Sequence, residues 1–279
     1  MKSNEYNFKE LIVKAKQLRS AEYSRISHKQ YDKLSYATEQ SIQTITNNTK
    51  EITNINQCIR IANLIFVVIK LQEGKTKELI EVLHRLNPKN EQVGIFISYV
   101  YSKLLKHTKR KNALDNIDFF KNDQKSKNNQ LQNPYFLFFL AKHSWNSVLL
   151  YNTKFVNAVM KMITSEKISV RNIAFKTLNL YLQILEKAQT DYTKNSINFL
   201  FKFAQNNLFG SPSEKHGAFL IFSSLFEHFS SFFESQALDL MNFFREIYPT
   251  CSSNISSLII YNIVLLANIK PDIFCHEYF

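Results

Sequence analysis

The chain has 279 residues, 45% of them apolar, with only 4 Gly and 5 Pro. So much apolar content excludes a disordered chain, and so few turn-formers exclude an all-β fold, whose tight reversals depend on those two residues. The net charge of +12 would suit an acidic or nucleic-acid partner, but the lysines are spread along the chain and cluster only in KHTKRK (106–111) and KNDQKSK (121–127), which argues against nucleic acid. Cys58, Cys251 and Cys275 are odd in number and have no CxxC or metal spacing, which fits a reducing compartment, cytoplasmic or nuclear. The first residues, MKSNEYNFKELIV, lack the apolar core of a signal peptide. The apolar runs at 61–69 and 258–269 are too short for a membrane span, which takes about 20 residues.

In chain order, residues 1–51 read as a helical segment of unreadable phase, with helices expected at 8–18 and 29–46. From 52 to 279 apolar residues recur at three and four, the spacing of amphipathic helices. They group into helix pairs at 52–87, 90–121, 133–165, 168–207 and 214–248, and a sixth pair opens near 253. A period of roughly 35–46 residues is the mark of HEAT or armadillo-type repeats, so the expected fold is all-α, an α-solenoid of about five to six such pairs. Lys106, Lys109, Arg110 and Lys111 follow a helix at 92–105, where cations suit the negative end of the dipole; they are the candidate partner-binding residues. A polar loop at 121–133 separates the second pair from the third. PYFLFFL (134–140) reads as core, and Trp145 as filler between helices.

The stretch MITSEKISVRNIAFKTLNLYL (162–182) has the HEAT layout of apolar helix end, polar turn and Val-Arg at the next helix start. In such repeats an Asp in the turn pairs with that Arg. Here Arg171 is present but Ser165 stands at the Asp position, so a weakened ladder is expected. In EKHGAFLIFSSLFEHFSSFF (214–233) Phe219, Phe222, Leu225, Phe226 and Phe229 share one face. Ser213 is the expected cap, with Glu214 in the first turn and Gly217 allowing close helix packing. The partner helix at 235–248 offers Leu238, Met241 and Phe244 to the core and stops at Pro249. A helix at 254–269 opens the last repeat, and Pro271 suits the next start. Too few residues follow to complete that repeat. Ile273, Phe274, Tyr278 and Phe279, with Leu258, Ile259, Val264 and Leu265, are expected to leave apolar surface for self-association at that end.

No catalytic, cofactor-binding or metal residues are expected. Gly74, Gly94, Gly210 and Gly217 lie too far apart for a phosphate loop, and no kinase catalytic loop, DFG, HExxH or GxSxG occurs. His216 and His228 are more than three helical turns apart and cannot share a metal. Cys275 and His276 adjoin but lack further ligands.

Three stretches carry a family resemblance: VRNIAFKTLNLYLQILEKAQTDY (170–192), KHGAFLIFSSLF (215–226) and NISSLIIYNIVLLANIKPDIF (254–274). In order and spacing they resemble the N-terminal HEAT region of the target-of-rapamycin (TOR) serine/threonine-protein kinases. KTKELIEVLHRLNPKNEQV (75–93) is similar to an earlier helix and turn of that family. The resemblance implies a non-catalytic scaffold that docks accessory subunits of the Raptor or Rictor type and supports complex assembly in growth and nutrient signalling. It implies a cytoplasmic chain, membrane-associated through partners or nuclear. TOR proteins continue into FAT and kinase domains that this sequence lacks, so a fragment, a truncated gene model or a diverged short relative is expected. The alternatives are a HEAT-repeat protein that binds nucleic acid or another acidic partner, and a general HEAT adaptor.

Overall fold

The computed structural model of the protein describes residues 133–143, 145–150, 152–188 and 191–272, with Ile95, Ser98, Tyr99, Ser102 and Cys275 individually. The described residues form helices joined by turns, with no strand among them. None of these helices is long and apolar enough to cross a membrane. The candidate basic residues Lys106, Lys109, Arg110 and Lys111 lie outside the described residues, as do the segment 1–51, the expected pair at 52–87, nearly all of the loop 121–133, and the terminal apolar residues Ile273, Phe274, Tyr278 and Phe279.

The chain divides between Ser147 and Val148 into two compact units. The division falls inside the expected third pair, whose helices therefore belong to different units. In the first unit, helix α1 (Asn133–His143) buries Phe136, Leu137, Phe139 and Leu140. Tyr99 meets Phe139 and His143 edge-on, with ring centroids 5.5 Å and 5.7 Å apart. PYFLFFL is thus core, as its composition suggests. Trp145, which opens the short helix α2 (Trp145–Leu150), is 54% exposed and does not fill a gap between helices.

The second unit holds α3 (Asn152–Ile163), α4 (Ile168–Ala188), α5 (Asp191–Asn207), α6 (Pro212–His228), α7 (Ala237–Ile247) and α8 (Ser253–Ile269). A 3-10 segment, Ser230–Gln236, links α6 to α7. The closest couplings of consecutive helices are α3 with α4, α5 with α6, and α7 with α8. The expected grouping put α4 with α5 and α6 with α7. The tight pairs are shifted by one helix, because α6 takes most of its contacts from α5 before it and α8 after it. The second helices of these pairs also lie side by side, α4 against α6 and α6 against α8.

Helix α6 is the centre of the unit. Its start is fixed by Ser211, not by the expected Ser213. Ser211 Oγ accepts from the Glu214 amide at 3.4 Å, and Glu214 Oε2 accepts from the Ser211 amide at 2.7 Å. This reciprocal pairing, with Pro212 in the first turn, satisfies two amides that the helix leaves open. From Gly217 to Phe226 every residue is buried, so the helix has no solvent face over that length. Ser223 and Ser224 are tolerated there because small side chains allow neighbours to approach. Ser223 Oγ also donates to the Phe219 carbonyl at 2.9 Å.

The aromatic core gathers on α6. Phe244 of α7 meets Phe219 edge-on at 5.3 Å and lies 5.4 Å from Phe222. Phe233 of the 3-10 segment meets Phe226 edge-on at 5.1 Å. Phe201 of α5 reaches both Phe222 and Phe233, at 5.6 Å and 5.3 Å. Helix α7 buries Ala237, Leu240, Met241 and Phe244, while Leu238, expected in the core, is half-buried. The true stripe follows steps of three and four rather than threes alone, as a 3.6-residue turn requires.

Candidate partner-binding groove

Three places in the second unit bring chemistry-bearing side chains together. The first is the turn between α3 and α4. Arg171 is 8% exposed, and its Nη1 donates to the carbonyls of Ser165 and Glu166 at 2.6 Å and 3.0 Å. The missing Asp is thereby replaced by backbone oxygen: Arg171 ties the turn to its own helix rather than to a side-chain ladder. His216 of α6 feels the Arg171 charge. Burial first, and the Arg171 charge second, hold its imidazole below the ordinary histidine range. Nε of Arg171 and Nδ1 of His216 are buried without a hydrogen-bond partner. Next to His216, a Cβ at Gly217 would stand 2.4 Å from the Ile163 carbonyl oxygen, so only glycine lets α6 sit on the end of α3.

His228, at the other end of α6, approaches Glu186 of α4 at 3.6 Å. The two histidines therefore serve separate contacts. Among the described residues no group of three or more His, Cys, Asp or Glu is placed to hold a metal. Cys251 and Cys275 are free thiols, and His276 lies outside the described residues.

The second place is α8. Asn262 is fully buried, and its Nδ2 donates to the Phe219 carbonyl at 3.1 Å and to Ser223 Oγ at 3.0 Å on α6, and to the Leu258 carbonyl at 2.8 Å. Tyr261 donates its hydroxyl to Glu227, which raises the phenol above its ordinary range. The opposite face of α8 exposes Ile260, Tyr261 and Val264. Of the apolar residues expected at the surface, Val264 is exposed, Leu258 and Leu265 are half-buried, and Ile259 is fully buried.

The third place is a groove between α5 and α7, of about 510 Å³. Leu208 and Leu240, both nearly buried, form its floor. Phe201, Phe209 and Phe243 form its walls, and Gln205, Gln236 and Asp239 carry the polar groups. Phe209 is 77% exposed and meets Phe243 at 6.4 Å, ring edge towards ring face. The groove has the makeup of a recognition site: an apolar floor, accessible aromatic walls and a few polar groups. Sequence reasoning passed over it. The available signal was Phe209 itself, an aromatic residue in the short turn between Asn207 and the Ser211 cap. A partner-binding surface can be built from these residues.

No protein-family model matches the chain, and a search of the curated proteins finds no match.

Proposed function

We propose that the protein is a non-catalytic helical-repeat scaffold of the α-solenoid kind, which binds protein partners through grooves between its helices. The observation that carries this reading is the side-by-side layer of α4, α6 and α8, backed in turn by α3, α5 and α7. Three successive helix pairs begin at Asn152, Asp191 and Ala237, and each contributes its second helix to that layer. Repeating pairs with stacked equivalent helices are how solenoids bury stripes that no single pair covers. The stretches 170–192, 215–226 and 254–274 resemble the N-terminal arm of TOR kinases, and on that resemblance the partners are accessory subunits of the Raptor or Rictor type. The uncovered stripe of Ile260, Tyr261 and Val264 supports a further contact at that end, with a second copy of the chain.

The test is affinity purification of the tagged full chain from its own cells, with cross-linking mass spectrometry. Cross-links from the second unit to an accessory subunit of a growth-signalling kinase complex are expected. Co-purifying nucleic acid, lost steeply as salt rises, would overturn the protein-scaffold reading in favour of the nucleic-acid alternative.

A further inference from the structure

In the α5–α7 groove an exposed Phe209 and a half-buried Phe243 stand beside a carboxylate. Two observations converge on its occupant. Most of the lining is apolar, so a ligand must offer apolar surface. Covering Phe209 and Phe243 gives association its driving force. Second, Asp239 is the only ionisable group among the described residues of the lining. An anionic ligand would meet a like charge inside the groove, whereas a cationic one gains an opposite charge and the face of an exposed aromatic ring. Gln205 and Gln236 supply both donors and acceptors, which suits a peptide backbone. A groove of this size takes a few side chains of an extended segment and is too small for a folded domain to enter.

We propose that this groove docks a short linear segment of a partner protein, in which an aromatic or large aliphatic side chain seats between Phe209 and Phe243 and a nearby Lys or Arg pairs with Asp239. The proposal rests on the scaffold reading and deepens it by naming the chemistry of the partner. It makes the turn residue Phe209 and the first-turn residue Asp239 specificity-determining, one for shape and the other for charge.

A random peptide library displayed on phage and selected against the immobilised full chain tests the proposal, with Phe209→Ser and Asp239→Asn as parallel baits. Both residues are exposed, so the variants are expected to fold, and circular dichroism of each bait checks this. The expected result is enrichment of peptides that combine an aromatic or aliphatic anchor with a basic residue within a few positions. Phe209→Ser should abolish that enrichment. Asp239→Asn should keep the apolar anchor and lose the basic preference, with about a two- to fivefold drop in affinity for the synthetic form of the best wild-type peptide. No enriched class, an acidic consensus, or a consensus that survives Phe209→Ser would each overturn the groove proposal. The cross-linking experiment above would still decide the scaffold reading, so the two failures are distinguishable.

Discussion

At the scale of single residues, Arg171 and His216 show how a buried cation is accommodated without a carboxylate. The guanidinium takes two carbonyls of the α3–α4 turn at 2.6 Å and 3.0 Å. Arg171→Lys should weaken this two-point contact, because lysine is one bond shorter and cannot bring its ammonium to where Nη1 now meets both carbonyls, and should lower stability by about 1–3 kcal/mol in chemical denaturation. An unchanged midpoint would show that the turn holds itself. His216 has a pH consequence. In the unfolded chain its imidazole titrates near the ordinary value of 6.5, and in the folded chain it titrates lower. In the interval between them the unfolded state binds more protons. Stability is therefore full above that interval and falls as pH drops through the ordinary histidine range, levelling off below the folded value. His216→Gln should flatten the dependence of the denaturation midpoint between pH 7 and pH 5. Equal slopes for both proteins would place the pH sensitivity elsewhere. Arg171 was readable from the Val-Arg pattern, but its partners were not: a backbone carbonyl leaves no trace in residue identity. The proximity of His216 was equally hidden, since it arises from packing between α4 and α6 and not from spacing along either helix.

At the scale of elements, the helices were legible and their couplings less so. Periodicity placed the outer ends of the α4–α5 pair, the start of α6 and both ends of α8 to within a few residues, because three-four spacing is a local property. The pairing depends on which faces meet. A helix buried throughout from Gly217 to Phe226 carries no polar face to say which neighbour comes first. The cap of α6 was misplaced by two residues for a related reason. Ser211 and Ser213 are both good caps by type, and the reciprocal bond with Glu214 decides between them. Gly217 was read correctly as a packing glycine. Its substitution is the clearest test of the α3–α6 contact: Gly217→Ala would drive a methyl group against the Ile163 carbonyl, which cannot swing away. A loss of about 1–3 kcal/mol is expected even though alanine favours helix, measured by thermal unfolding. A gain in stability would mean that α6 stands further from α3 than described.

At the scale of the molecule, the middle pair of the second unit touches both of its neighbours, as a repeat does in an array. Helix α6 meets α3 and α4 of the pair before it and α8 of the pair after it, and its aromatic rings reach α7. Phe222→Ala should cost about 3–5 kcal/mol. Hydrogen exchange should show protection lost together across α3 to α8, as one cooperative unit. Loss confined to α6 and its immediate pair would show that the unit behaves as independent repeats.

Asn262 gives the joint between α6 and α8 a mechanical character. Apolar ridges and grooves can fit at more than one setting, but the Asn262 amide meets the Phe219 carbonyl and Ser223 Oγ at a single setting of the two helices. A one-residue change of register, in which α8 advances about 1.5 Å and turns by roughly 100°, carries that amide away from both acceptors. The asparagine therefore works as a detent that locks α8 against axial slip. A pull along α8 must break both bonds to α6 together, while a pull across it opens the contact from one edge. Force applied through a partner bound to α8 would be resisted most when directed along that helix.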